Sequence, residues 1–292
     1  MSMVLGAFLA LGASVFIAAF DFVSGLLTRR YSPFTVIGVT GLVSALIVGI
    51  VIVSRGEQLL AMGSVAAGIL AGVTTLAAQT MYLLALSRGV IGVVGGISTA
   101  FVLVPLVYAI LSGNPPSIIG FLAIGLIAMG IYFLTRPDSE LCPNGSPRRT
   151  PKSVVWLAFG AALLTGTSIL FIDEGSMADP NSTIFLTYAV TPIALGLAFI
   201  LRRRTAEEVA APLRIPIVLA AVLGAATFAV LGDLCLAWST TLTDVAISAV
   251  LTGLDPLVLA IFALVFLKQK LNAVQKIGLA VTLVGGIAAT LG

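Results

Sequence analysis

The chain alternates ten long apolar stretches with short polar gaps, the stretches lying near residues 4–27, 33–53, 63–86, 90–112, 117–135, 153–173, 182–201, 214–238, 244–267 and 272–291. A hydrocarbon layer about 30 Å thick is crossed by about 20 apolar residues of helix, so each stretch is expected to be a transmembrane helix. The first is expected to be a true span rather than a cleaved signal, because it lacks a charged start and runs on to Arg29 and Arg30. Composition agrees: 59% of the residues are hydrophobic and only 9% charged, which excludes a soluble domain of this length.

The polar gaps sort by charge. Of the 15 Lys and Arg residues, all but Arg55 fall in alternate gaps: Arg29 and Arg30; Arg88; Arg136, Arg148, Arg149 and Lys152; Arg202, Arg203, Arg204 and Arg214; Lys268, Lys270 and Lys276. Cationic loops beside a span stay on the cytoplasmic side during insertion. These gaps are therefore expected to be cytoplasmic, both termini outside, and the protein a multi-pass component of the inner (plasma) membrane. Glu57, Asp173, Glu174, Asp179 and Asp244 gather in the opposite gaps. The net charge of +3 is accounted for by these helix flanks and calls for no nucleic-acid partner.

Residues 136–152 form the one long polar, Pro-rich segment and are read as a cytoplasmic linker between a first unit, 1–135, and a second, 153–292. Five spans in each unit is an odd number, so the second unit enters the membrane from the opposite side to the first. The 2–3 gap holds one cation and its counterpart between spans 7 and 8 holds four, as opposed orientation requires. Tyr82-Leu-Leu-Ala85 closes span 3 as Leu234-Cys-Leu-Ala237 closes span 8, and Pro105 and Pro256 follow at matching offsets in spans 4 and 9. The expected fold is an all-α membrane protein of ten transmembrane helices arranged as two inverted five-helix repeats. In secondary transporters such repeats enclose a site near the midplane that is exposed alternately to the two sides.

With an Ala near the end of the third helix of each half, a Pro within the fourth and a glycine-bearing last helix (Gly278, Gly285, Gly286), the chain resembles the EamA repeat of the drug/metabolite transporter superfamily. Many members carry an acidic residue in the turn after the fourth repeat helix. Here that turn reads SGNPPS in one half and LKQKLN in the other. In size and organisation the chain is similar to the YddG-type amino acid exporters, a resemblance that implies efflux of aromatic and other neutral amino acids.

Ionisable and multiply polar residues deep in a span are costly unless they face a cavity or a partner. Asp255, midway along span 9 and directly before Pro256, combines a titratable group with irregular backbone. Ser248, Thr252 and Asp255 share one helical face at i, i+4, i+7. Thr75, Gln79 and Tyr82 repeat that spacing in span 3, where an amide and a phenol could hold a zwitterion beside an apolar body. Ser98 and Phe101 follow Gly95 and Gly96 in span 4, and Thr187, Tyr188, Thr191 and Pro192 make a polar cluster in span 7. These are the candidate substrate contacts, each with an alternative as interhelical packing or hydrogen bonding. Asp255 and Asp21 are the candidate proton-coupling groups. For Asp21 the alternative is a structural ion pair with Arg29 or Arg30, and Asp233 is read as a gate or interfacial residue. Trp156 and Trp238 are read as interfacial anchors.

The sequence has no His, which excludes His-based catalytic triads, HExxH zinc sites and His proton relays, and it has no GxxxxGK[ST] phosphate loop. Cys142 and Cys235 lack any metal or disulfide context. No enzymatic activity, cofactor or metal is expected. The partners are a small-molecule solute and the lipid bilayer, with the chain acting as a monomer and a dimer left open. The reading is a secondary exporter of small organic metabolites, amino acids first. Its competitors are a carrier of drugs, nucleosides or sugars, and a channel or lipid-handling protein.

Overall fold

In a computed structural model, residues 2–28, 30–88, 94, 97–113, 117–134, 152–202 and 211–266 are described, with isolated positions beyond 266. The elements are α1 (Ser2–Thr28), α2 (Pro33–Ser54), α3 (Val65–Arg88), a 3-10 turn at Thr99–Val102 leading into α4 (Leu103–Leu111), and α5 (Ile118–Leu134). They continue with α6 (Lys152–Ser176), α7 (Pro180–Val190), α8 (Ile193–Arg202), α9 (Pro216–Leu242), α10 (Val245–Thr252) and α11 (Asp255–Phe266). The described residues are helical, and five of these helices, α1, α2, α3 with its leading turn, α6 and α9, are long and apolar enough to cross a membrane. The protein is a multi-pass membrane protein. Most of the linker, the start of the fourth stretch with Gly95 and Gly96, Cys142, Gly286 and most of the tenth stretch lie outside the described residues.

Two of the expected spans are broken, and proline chemistry accounts for both breaks. Span 7 divides into α7 and α8 around Thr191–Pro192. Pro192 has no N–H to give to the carbonyl four residues back. That carbonyl, on Tyr188, accepts from the Thr191 hydroxyl (2.8 Å) and the Thr191 N–H (3.1 Å) instead. Span 9 divides into α10 and α11 at Gly253–Leu254, just ahead of Pro256. In the fourth stretch Pro105 likewise frees the carbonyl of Phe101, and the helix begins there as a 3-10 turn. The freed Phe101 oxygen lies against Gly166 of α6, where any Cβ would collide with it.

Helices approach closely where side chains are small, the usual solution where lipid leaves little hydrophobic force between helices. α1 lies along α9 and α3 along α6. The α9 face offers Ala225, Ala226 and Ala229, all buried, and Gly232, where a Cβ would sit 2.8 Å from Ile17 Cγ1. The α3–α6 contact uses Ala71, Ala78, Ala158, Ala161 and Ala162. α2 packs on α7 and α8, and α7 on α3, with Gly72 against the Thr187 carbonyl. Short polar groups finish these seams: the Ser44 hydroxyl donates to the Ala226 carbonyl (3.3 Å) and the Ser168 hydroxyl to the Ala71 carbonyl (3.2 Å).

At the end that the charge pattern assigns to the outside, polar contacts tie the 55–61 loop to the start of α7. The Asn181 amide donates to Glu57 Oε2 (2.8 Å), and the Ser182 hydroxyl donates to the Gln58 carbonyl (2.9 Å) while accepting from the Ala61 N–H (3.3 Å). The acidic residues of these loops serve as helix caps. Asp179 accepts from the Ser182 N–H at 2.8 Å and Asp244 from the Ala246 N–H at 2.7 Å, which places negative charge where the helix dipole favours it.

Close helix approach at Gly72 predicts a sharp contrast between two alanine substitutions. A Cβ at Gly72 would stand 2.7 Å from the Thr187 carbonyl oxygen, whereas one at Gly224 would meet nothing within 4 Å. Gly72→Ala is expected to lose about 1–3 kcal/mol of stability by overpacking, seen as less monodisperse protein surviving a heat challenge on size exclusion. Gly224→Ala is expected to match the parent. Equal survival of the two would refute the packing account.

Candidate functional site

Where the broken helices meet, a cavity of about 160 Å³ opens between α1, α2, α3, the 98–101 segment, α6, α7, α9 and the α10–α11 break. Its apolar wall includes Ile17, Phe20, Ile37, Phe101, Ile169, Ile172 and Leu236, and its polar wall includes Asp21, Gln79, Tyr82, Tyr188, Asp233, Thr252 and Asp255. The size suits a metabolite and excludes a macromolecular ligand.

Asp21, Thr75, Gln79, Tyr82, Ser98, Phe101, Tyr188, Thr191, Thr252 and Asp255, all singled out from the sequence, line this cavity. They are drawn together from helices distant in sequence. Thr187 and Pro192 stand outside the lining, and so does Ser248, whose assignment as a substrate contact is corrected. It is fully buried away from the cavity, its hydroxyl 2.9 Å from that of Ser239, which donates in turn to the Gly6 carbonyl (2.8 Å). Thr252 and Asp255 flank the break at Gly253–Leu254, whereas Ser248 lies one turn earlier on α10, level with Ser239 of α9. Ser248 therefore joins α1, α9 and α10, while Thr252 and Asp255 turn into the cavity.

The polar residues divide by whether their valences are already used. Thr75 is bonded to Ser168 across the α3–α6 seam (2.5 Å). The Thr191 hydroxyl holds the Tyr188 carbonyl, and the Thr40 hydroxyl holds that of Val36 (2.7 Å). The Tyr188 phenol donates to Asp233 Oδ2 (2.6 Å), joining α7 to α9. Tyr82 is hydrogen-bonded to Ser98, linking α3 to the fourth stretch. Ser24 Oγ, Asp173 Oδ1 and Ser176 Oγ, away from the cavity lining, also lack a hydrogen-bond partner among the described residues, but three further buried atoms of this kind stand against these bonds: Gln79 Oε1, Thr252 Oγ1 and Asp255 Oδ1. All three belong to cavity residues. Each such atom costs about 1–3 kcal/mol if left dry, so the cavity wall carries unused polar capacity on three separate helices.

Two further placements bear on alternatives that the sequence left open. Asp21 lines the cavity within electrostatic reach of Asp233 and Asp255. Arg29 lies outside the described residues, and the ion pair found among the described ones is Arg55–Glu57 (4.0 Å). Asp233 is a cavity residue held by Tyr188 rather than an interfacial one, because α9 runs on to Leu242. Thr40 with Ser44, and Thr165 with Ser168, also line the cavity. Their i, i+4 and i, i+3 spacing displayed these polar stripes in the sequence, but nothing in either marked it apart from ordinary helix packing.

Among solved structures, one described only as the crystal structure of a protein aligns over 99% of this chain and 96% of its own, with a TM-score of 0.78 and 13% identity. At that identity the likeness is one of fold, and it spans both halves. No curated protein matches the chain. Residues 152–291, the second half of this multi-pass membrane protein, match the EamA-like transporter family.

Proposed function

We propose that the protein is a secondary transporter that carries a small organic solute across the plasma membrane by alternating access, exporting neutral and aromatic amino acids or related amine-bearing metabolites. The observation that carries the reading is the set of unpartnered polar atoms on Gln79, Thr252 and Asp255 in one cavity beside aromatic side chains. Single unpartnered atoms also occur away from the cavity, at Ser24, Asp173 and Ser176, but here three converge on one space. A solute that arrives and leaves explains why they stay open.

The arrangement of contacts supports two oppositely inserted five-helix halves. Exchange α1 with α6, α3 with α9 and α2 with α7–α8, and the α1–α9 contact becomes α6–α3. Likewise α2–α9 becomes α7–α3, and the packing of α1 on α10 and α11 becomes that of α6 on the 99–111 segment. Halves related in this way can rock about a shared cavity. The polar tie between the 55–61 loop and α7 is the kind of contact that could hold the outer end shut in a carrier. The match of the second half to a transporter family points the same way. Asp255 and Asp21 are the proposed proton-coupling groups, since a carboxyl in a closed cavity can trade a proton against a bound solute.

Purified protein in liposomes is expected to show saturable counterflow of labelled phenylalanine or a related amine-bearing solute. Gln79→Ala and Asp255→Asn are each expected to lower it at least about tenfold, the scale of one lost hydrogen bond to a charged group, with membrane insertion unchanged. An imposed pH gradient should accelerate uptake by the parent and not by Asp255→Asn. Non-saturating flux, or parental rates in both variants, would refute the carrier reading.

The external tie gives a separate test. In a background with Cys142 and Cys235 replaced by Ser, Ile172→Cys supplies a reporter on the cavity wall. Removing three hydrogen bonds with Asn181→Ala and Ser182→Ala, each worth about 1 kcal/mol, should speed labelling by an impermeant maleimide added outside intact cells by about tenfold or more. An unchanged rate would show that these contacts do not hold the outer end shut.

A further inference from the structure

We propose that this cavity selects a cationic amine with an aromatic or apolar body and discriminates against the same body bearing a carboxylate. The inference rests on the carrier reading of the same cavity and concerns what that cavity recognises. Three carboxyl groups, Asp21, Asp233 and Asp255, come to it from α1, α9 and α11, and no Lys or Arg stands among its described lining residues. In a low-dielectric site a charge without a partner is strongly disfavoured. An entering carboxylate would add to the existing acidic groups, whereas an ammonium would offset them.

The unused valences have the same sense. Gln79 Oε1 and Asp255 Oδ1 are acceptors without donors, and Thr252 Oγ1 is unpartnered in a residue only 3% exposed. A protonated primary amine brings three donors and no acceptor, which complements that set. A carboxylate needs several donors, and while the Thr252 hydroxyl could supply one, those of Thr40, Thr75 and Thr191 are already engaged within the protein. The start of α11 offers an anion little, because Pro256 has no N–H and the N–H groups of Leu257 and Val258 bond the Leu254 carbonyl (3.0 and 3.3 Å), and Asp255 in its first turn opposes one. Phe101 and Tyr188, 7% and 6% exposed, supply aromatic wall. Their rings can pack against the body of the solute and attract its cation.

Three probes sharing one ring separate the charges: phenethylamine (cation), phenylalanine (zwitterion) and phenylacetate (anion). Titrated calorimetrically into the parent protein in nanodiscs, phenethylamine is expected to bind at least about tenfold more tightly than phenylalanine, with no binding of phenylacetate. Asp255→Asn, and independently Asp21→Asn, should weaken phenethylamine at least about tenfold while altering phenylalanine less. Phenylalanine binding as tightly as the amine, or no binding of the amine, overturns the inference, and the parental comparison decides this even if a variant fails to fold. Counterflow keeps the two proposals apart. Phenylalanine counterflow without amine binding overturns the amine preference alone, while tight amine binding without counterflow of any probe overturns the carrier reading alone.

Discussion

A bilayer leaves no water to satisfy stray polar groups, and that constraint shapes each feature of this protein. Helices answer it by pairing their own backbone. Wherever a helix must break, another group has to take up the freed carbonyl or the break must border a cavity. At Pro192 the first solution applies, with the Thr191 hydroxyl serving the Tyr188 carbonyl. At Gly253–Leu254 the break borders the cavity, and Thr252 and Asp255 on either side of it carry unpartnered oxygens. Irregular backbone and costly side chains thus coincide, one enclosed polar space serving both.

The apolar stretches were legible because membrane thickness sets a length that composition alone reveals. The site was legible for a related reason: hydrocarbon penalises carboxylates and amides so strongly that Asp21, Gln79 and Asp255 stood out against their spans, and the fold brings them to one cavity. What escaped depends on long-range geometry. Ser248 shares a face of α10 with Thr252, and what separates their roles is the neighbour met one turn away from the break, Ser239 of α9 with the Gly6 carbonyl of α1 behind it. Asp233 looked interfacial until the length of α9 and the phenol of Tyr188 fixed it inside. Thr75 illustrates the same limit from the other side. Its spacing with Gln79 was correct, but its hydroxyl is used by Ser168 on a helix more than ninety positions away.

Hydrogen-bond accounting also separates the scaffold from the working surface. Most small hydroxyls in the spans return to a carbonyl in their own helix or cross one seam, as Thr40, Ser44 and Ser168 do. Such bonds contribute modestly in a membrane, because the separated helices would find partners too. Their consequence is geometric. With the helices held together by glycine, alanine and these short ties, the larger polar side chains are left facing the gap between the halves.

A cavity lined by unused acceptors is poorly suited to a fixed structural role and well suited to a transient occupant. If those oxygens were permanently hydrated, water would remain in the cavity at each excursion and a bound solute would have to displace it. An occupant that supplies its own donors removes that conflict and satisfies Gln79, Thr252 and Asp255 together. It would also screen Asp21, Asp233 and Asp255 from one another. The empty and occupied cavities therefore differ in electrostatic energy as well as in contacts, and a ligand shifts a conformational equilibrium only through such a difference between states. On the proposed reading, the acidic residues that would recognise the solute are also the groups whose mutual repulsion it would relieve, which would couple occupancy to the packing of the helices around the cavity.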